Sequence, residues 1–179
     1  MELIDVLHAD GTPAGYTASK KEVHEKGLWH RASHVWFVNN QKEILLQKRA
    51  AHVVNHPGYY DISAAGHLTA GDTALEGAVR ETHEELGIKL DPSRFIKIGT
   101  VTQTSHRERY INKEHNDVYL VTGDFHDDDF IIDPEEVALM QWISIDTLQH
   151  WVATEKDDLV PHPDEYKILF AYLESNDTT

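Results

Sequence analysis

Three carboxylates crowd one short stretch, Arg80-Glu81-Thr82-His83-Glu84-Glu85, in a chain that already carries a formal charge of −15. Residues three and four apart on an α-helix lie within an arc of about 60°, so Glu81, Glu84 and Glu85 share a face roughly opposite Leu75, Val79 and Leu86. Clustered carboxylates repel one another, and this segment has no lysine to compensate. A hard divalent cation such as Mg²⁺ or Mn²⁺ turns the repulsion into ligation. A metal held there could lower the pKa of a bound water and screen negative charge that builds up in a reaction. The competing reading is a solvated helix face.

The elements that must position these residues are legible around them. Leu75, Ala78, Val79, Thr82 and Leu86 recur at helical spacing, Thr73 and Glu76 stand as a capping box, and Gly87 sits where a C-terminal cap belongs. The pattern predicts a helix from about 73 to 86, entered from a loop holding Gly66 and Gly71, whose junction with the helix start can receive an anion. Upstream, the apolar–polar alternation around Asp10-Gly11 predicts a hairpin, residues 19–32 a loop or short helix, and the runs HVWFV and EILLQK a second hairpin. That hairpin ends in Lys48-Arg49, a pair that reads as phosphate contacts or as an ordinary basic strand end. Downstream, FIKIGTVTQTS, DVYLVTGDF and ALMQWISI read as strands, HDDDFIIDPEEV as an acidic loop, IDTLQHWVA as a helix opened by Asp146, and PDEYKILFAYLES as a C-terminal helix. Strands on both sides of one strong helix suggest an α/β fold with mixed layers.

Composition limits the alternatives. A chain of 179 residues that is 40% hydrophobic can bury a sizeable core, and residues 1–179 are expected to form one domain, with the hairpin of about 1–20 and the helix of about 163–175 as additions to its core. No run reaches the roughly 18 apolar residues of a membrane span, so the expectation is a soluble, cytoplasmic protein. Zero cysteines exclude a disulfide, a thiolate ligand and a cysteine nucleophile. The negative balance argues against a nucleic-acid polymer as partner, but leaves room for a small anionic substrate held by local cations and a metal.

The spacing of Gly66, Asp72 and Arg80-Glu81-Thr82-His83-Glu84-Glu85-Leu86-Gly87-Ile88 resembles the Nudix box, with Asp72 in place of a glutamate and Thr82 in place of an aliphatic residue. The resemblance implies an α/β/α sandwich with a mixed sheet and metal-dependent hydrolysis of a nucleoside diphosphate linked to another moiety. It implies further that Glu81, Glu84 and Glu85 ligate metal or help activate water, that the Gly66 carbonyl completes the shell, and that Arg80 pairs with Asp72 to fix the loop. An aspartate is one methylene shorter than the glutamate of the box.

From about Leu3 to Trp151 the chain also resembles the branch of that superfamily containing type I isopentenyl diphosphate isomerase. That resemblance implies a second divalent metal held by His24, His30 and His67, with ligands from Glu114, His115 and Asp117 on a later strand. The isomerases move a proton with a cysteine where this chain has Ala65, and alanine has no acid–base chemistry. Their second acid–base position reads as Asp117. The leading expectation is therefore a pyrophosphohydrolase, with isomerase-like activity and a noncatalytic ligand-binding module as alternatives. Trp36, Tyr59, Tyr60, Arg107 and Arg109 are candidates for lining the substrate pocket.

Overall fold

A computed structural model describes residues 2–107 and 110–176. β1 (Leu3–Leu7) and β2 (Pro13–Ser19) form the expected antiparallel hairpin. The following segment is helical: α1 (Lys20–Lys26) starts where the Ser19 side chain accepts a hydrogen bond from the Glu22 backbone and stops at Gly27 in the left-handed region.

The second sheet is built around β3 (His30–Asn39), which pairs parallel with β8 (Tyr110–Gly123) from His30↔Glu114 to Asn39↔Gly123. Its other edge is shared. β6 (Ala64–His67) pairs antiparallel with the first half of β3, and β4 (Glu43–Arg49) with the second. β5 (Tyr60–Asp61) and β9 (Val137–Ser144) extend the sheet from β4, and β7 (Ile96–Arg107) closes the far edge against β8.

Alternation along β3 and β8 assigns the layers. Val35, Phe37, Tyr119 and Val121 pack with Ala78 and Leu86 of α2 (Ala74–Leu86). Trp36, Val38, Val118 and Leu120 pack with Leu148 of α3 (Ile145–Ala153) and Leu169 of α4 (Pro163–Asn176). Covered on both faces, β3 reads as a near-continuous apolar run rather than an alternating one. The fold is the expected α/β class, a mixed sheet between helical layers.

Three details depart from the sequence expectation. β6 carries only small residues and a histidine, so no propensity announced it. β8 starts well before Asp117, because its polar first half faces a cavity rather than a core. α3 is capped by Ser144, whose Oγ accepts from the Thr147 backbone at 3.1 Å, rather than opened by Asp146. Among the described residues, no helix is long and apolar enough to cross a membrane.

Candidate active site at the acidic helix and the histidine cluster

The capping box predicted for α2 is present in both directions, and Gly87 ends the helix at φ 68°, where a Cβ would run into the Ile131 carbonyl. A helix fixed at both ends holds its acids at defined depths. The Glu81 side chain is 12% exposed and Glu85 8%, whereas Glu84 remains 57% exposed. Glu85 accepts from Gln47 Nε2 at 2.9 Å and from the Ala65 backbone at 3.2 Å. Glu81 lies directly under Gly66, so that any Cβ there would land on its carboxyl group. The glycine is thus required by the approach of a carboxylate.

Burial, reinforced by Glu84, pushes the Glu81 carboxyl up to about 7 against the opposing pull of Arg80, and burial with the Glu81 charge pushes Glu85 up to about 8. Two buried carboxyls that resist ionising together are a donor set completed by a cation. Arg80 organises the turn: it donates to Glu81 at 2.7 Å, Glu84 at 3.1 Å and the His67 carbonyl at 2.9 Å. Its Nε comes within 3.7 Å of Asp72 without making a hydrogen bond, as the short aspartate side chain predicts.

Beside this helix, His24 of α1, His30 of β3, His67 of β6 and Glu114 of β8 converge, with the three imidazole centroids 5.0–5.1 Å apart. The Glu114 Oε1 atom is 3.3 Å from His30 Nε2 and 3.2 Å from His67 Nε2. The Nδ1 atoms of His24 and His30 bond to the backbone carbonyls of Lys20 and Leu28, at 2.7 and 2.9 Å. That arrangement leaves each Nε2 as the unprotonated nitrogen, and both are buried with no hydrogen-bond partner. Burial, aided by His67, lowers His24 to about 4, and burial also lowers His67. Imidazoles around a carboxylate, with orphaned nitrogens turned inward, fit a transition-metal ion.

Residues 28–163 match the sequence model of the NUDIX domain. The chain belongs to the NUDIX family. It is 40% identical over 177 residues to Nudix hydrolase 3 of Arabidopsis thaliana, an alignment covering 94% of this chain but 23% of the plant protein. Against an isopentenyl-diphosphate Delta-isomerase of Aliivibrio fischeri it is 29% identical over 173 residues, covering 94% of this chain and 91% of the isomerase. The crystal structure of a MutT protein from Methanosarcina mazei Go1 superposes with a TM-score of 0.64 at 18% identity, over 84% of this chain and 96% of that one. This last likeness concerns the fold.

Within this NUDIX domain, one cavity of about 1190 Å³ is lined by Gly66, His67, Arg80, Glu81, Glu84 and Glu85 together with Glu114. Ala65, in the place of the isomerase cysteine, also lines it. Strand alternation corrects the assignment of β8. Glu114 faces the cavity, but His115 turns to the opposite face, where its ring lies 5.0 Å from Trp29. Asp117 is on that opposite face too, paired with Arg31 and Lys97 and accepting from Thr100 Oγ1 at 2.7 Å. The residue on the Glu114 side of the strand is Asn116, whose Nδ2 donates to Gln103 at 3.2 Å. An amide has no acid–base chemistry in the physiological range, so with Asp117 turned away, β8 offers the cavity no second carboxylate beside Glu114.

The basic pair also divides. Arg49 lines the cavity, bonded to Asp61 Oδ2 at 3.2 Å, whereas Lys48 faces the other way and stacks over Tyr60 at 5.0 Å. Arg107 lines the cavity 2.6 Å from His56 Nε2; Arg109 lies outside the described residues. Trp36 is buried in the core, and Tyr59 and Tyr60 do not line the cavity. Lys20, Gln47, His56 and Gln103 belong to this region without any local motif to announce them.

Proposed function

We propose that this chain hydrolyses the pyrophosphate bond of a nucleoside diphosphate derivative or related small organic pyrophosphate, using Mg²⁺ or Mn²⁺. The observation that carries this reading is the convergence of buried Glu81 and Glu85 on the backbone of Ala65 and Gly66 inside one cavity. Glu81, Glu84, Glu85 and the Gly66 carbonyl would hold the ion, which when bound supplies a more acidic water and screens phosphoryl charge. Arg80 keeps the carboxylates and the His67 carbonyl in register through its hydrogen bonds. Arg49 and Arg107 offer cationic groups to the anionic substrate from the cavity wall. A second ion, held by His24, His30, His67 and Glu114, fits the orphaned imidazole nitrogens of that cluster.

The test is a screen of nucleoside di- and triphosphates, nucleotide sugars, dinucleotides and isopentenyl diphosphate with Mg²⁺ or Mn²⁺, beside Glu84→Gln and Glu81→Gln variants. The expected outcome is cleavage of one class, falling about 10²-fold or more in Glu81→Gln. Unchanged rates in both variants would remove the acidic helix from the chemistry, and isomer formation without cleavage would establish the isomerase alternative. Ligand binding without turnover would establish the noncatalytic one. Elemental analysis separates the two ion sites: His30→Ala is expected to lose a metal equivalent that Glu81→Gln keeps.

A further inference from the structure

The wall of the cavity carries a second group of ionisable side chains that hydrolysis does not use. His34 of β3, Asp61 of β5, His162 before α4 and Glu165 in α4 all line it and are all buried. Two imidazoles and a carboxylate lie close enough to suggest another ion site, but their hydrogen bonds argue otherwise. His34 Nδ1 bonds Glu165 Oε2 at 2.7 Å, and Glu165 Oε1 accepts from Trp36 Nε1 at 2.8 Å. His162 bonds Asp61 through Nε2 at 2.8 Å and Gln103 Oε1 through Nδ1 at 3.2 Å. Both nitrogens of His162 and both oxygens of Glu165 are engaged, unlike the buried Nε2 atoms of His24 and His30.

What the network leaves open faces the cavity. The Pro161 carbonyl can only accept, so Gln103 directs its Nε2 there at 3.4 Å and presents Oε1 to both His162 and Asn116. The Nε2 atom of His34 has no hydrogen bond among the described residues, and its ring lines the cavity. Burial opposes charge on His34, but the Glu165 carboxylate outweighs it and raises the imidazole to about 9, which makes that nitrogen a donor at neutral pH. On β8, Asn112 lines the same cavity with a buried Oδ1 that has no partner. Burying two carboxylates and two imidazoles in a wall is costly compared with packing it with hydrocarbon. The cost is offset when the wall must contact polar groups.

We propose that His34 and Asn112, beside the fixed His162, form the subsite for the organic group attached to the diphosphate, and that this subsite selects a hydroxyl-bearing group such as a sugar over a hydrocarbon. A hydroxyl both accepts from His34 Nε2 and donates to an amide oxygen; an alkyl group strands both. This proposal rests on the hydrolytic reading for the placement of the diphosphate, so its test includes a measurement that needs no turnover.

Calorimetry of the wild-type protein with ribose 5-phosphate and with isopentenyl monophosphate reads the subsite directly. Tighter binding of ribose 5-phosphate by at least about tenfold is expected, narrowing in a His34→Leu/Glu165→Gln double variant that removes both charges together. Equal affinities in the wild type, undetectable binding of both included, or a preference for the isopentenyl compound would overturn the proposal whether or not the variant folds. In turnover, kcat/KM for ADP-ribose or UDP-glucose should exceed that for isopentenyl diphosphate by about 10²-fold or more. Preferential ribose 5-phosphate binding with no hydrolysis of any diphosphate would sink the hydrolytic reading and leave the subsite standing.

Discussion

Asp72 reaches within 3.7 Å of Arg80 Nε but leaves that buried nitrogen without a hydrogen bond. Extending the side chain by one methylene, Asp72→Glu, should close the gap and stabilise the protein by up to about 1 kcal/mol in urea denaturation, the pair being partly exposed. Thr82 is the second departure from the box. It is 1% exposed, and its Oγ1 has no partner. Thr82→Val keeps the shape while removing a stranded hydroxyl, so stability should rise by about 1 kcal/mol; a loss would show that the hydroxyl has a partner in solution. Ala65→Cys is expected to confer no isomerisation of isopentenyl diphosphate by product chromatography, because Asp117, read as the second acid–base group, turns away from the cavity and Asn116 stands on the Glu114 side instead. The carboxylates were legible at this scale because the box fixes them by number. Which residues of β8 face the cavity was not, since a shift of one residue along the strand moves a side chain to the other face.

At the level of elements, α2 was readable from its own sequence, because the capping box, the helical period and Gly87 are all local. The tie between α4 and the sheet was not. Glu165 meets His34 and Trp36 across some 130 residues of chain, and nothing near any of the three records it. That tie has a pH signature. The folded-state value of His34 is raised from 6.5 to about 9, so its contribution is fully present below 6.5 and disappears as pH rises through about 9. Glu165 is depressed below 4.5 despite the opposing effect of burial, chiefly by His34, so its contribution is present above that value and disappears on acidification. The stability difference between wild type and His34→Leu/Glu165→Gln should therefore be largest between about pH 4.5 and 6.5 and shrink toward pH 9 and above. A difference that stays flat to pH 10 in chemical denaturation would contradict the ion pair.

For the whole molecule, a formal charge of −15 makes an anionic substrate an unexpected ligand until the charges are placed. Lys20, Arg49, Arg80 and Arg107 all line the cavity that holds the acidic helix. Composition argued against a polyanion partner but carried no information about that placement, which arises only when α1, β4, α2 and β7 assemble. Metal and cations together set up the central claim, that Glu81 and Glu85 serve water attack on a pyrophosphate. The most direct measurement runs the preferred substrate of the wild-type protein in ¹⁸O-labelled water with Mg²⁺ or Mn²⁺ and reads both products by mass spectrometry. The account predicts one label in a single phosphate product per cleavage, and a rate lowered about 10²-fold or more in Glu81→Gln. Products without label, or a variant as fast as the wild type, would contradict it.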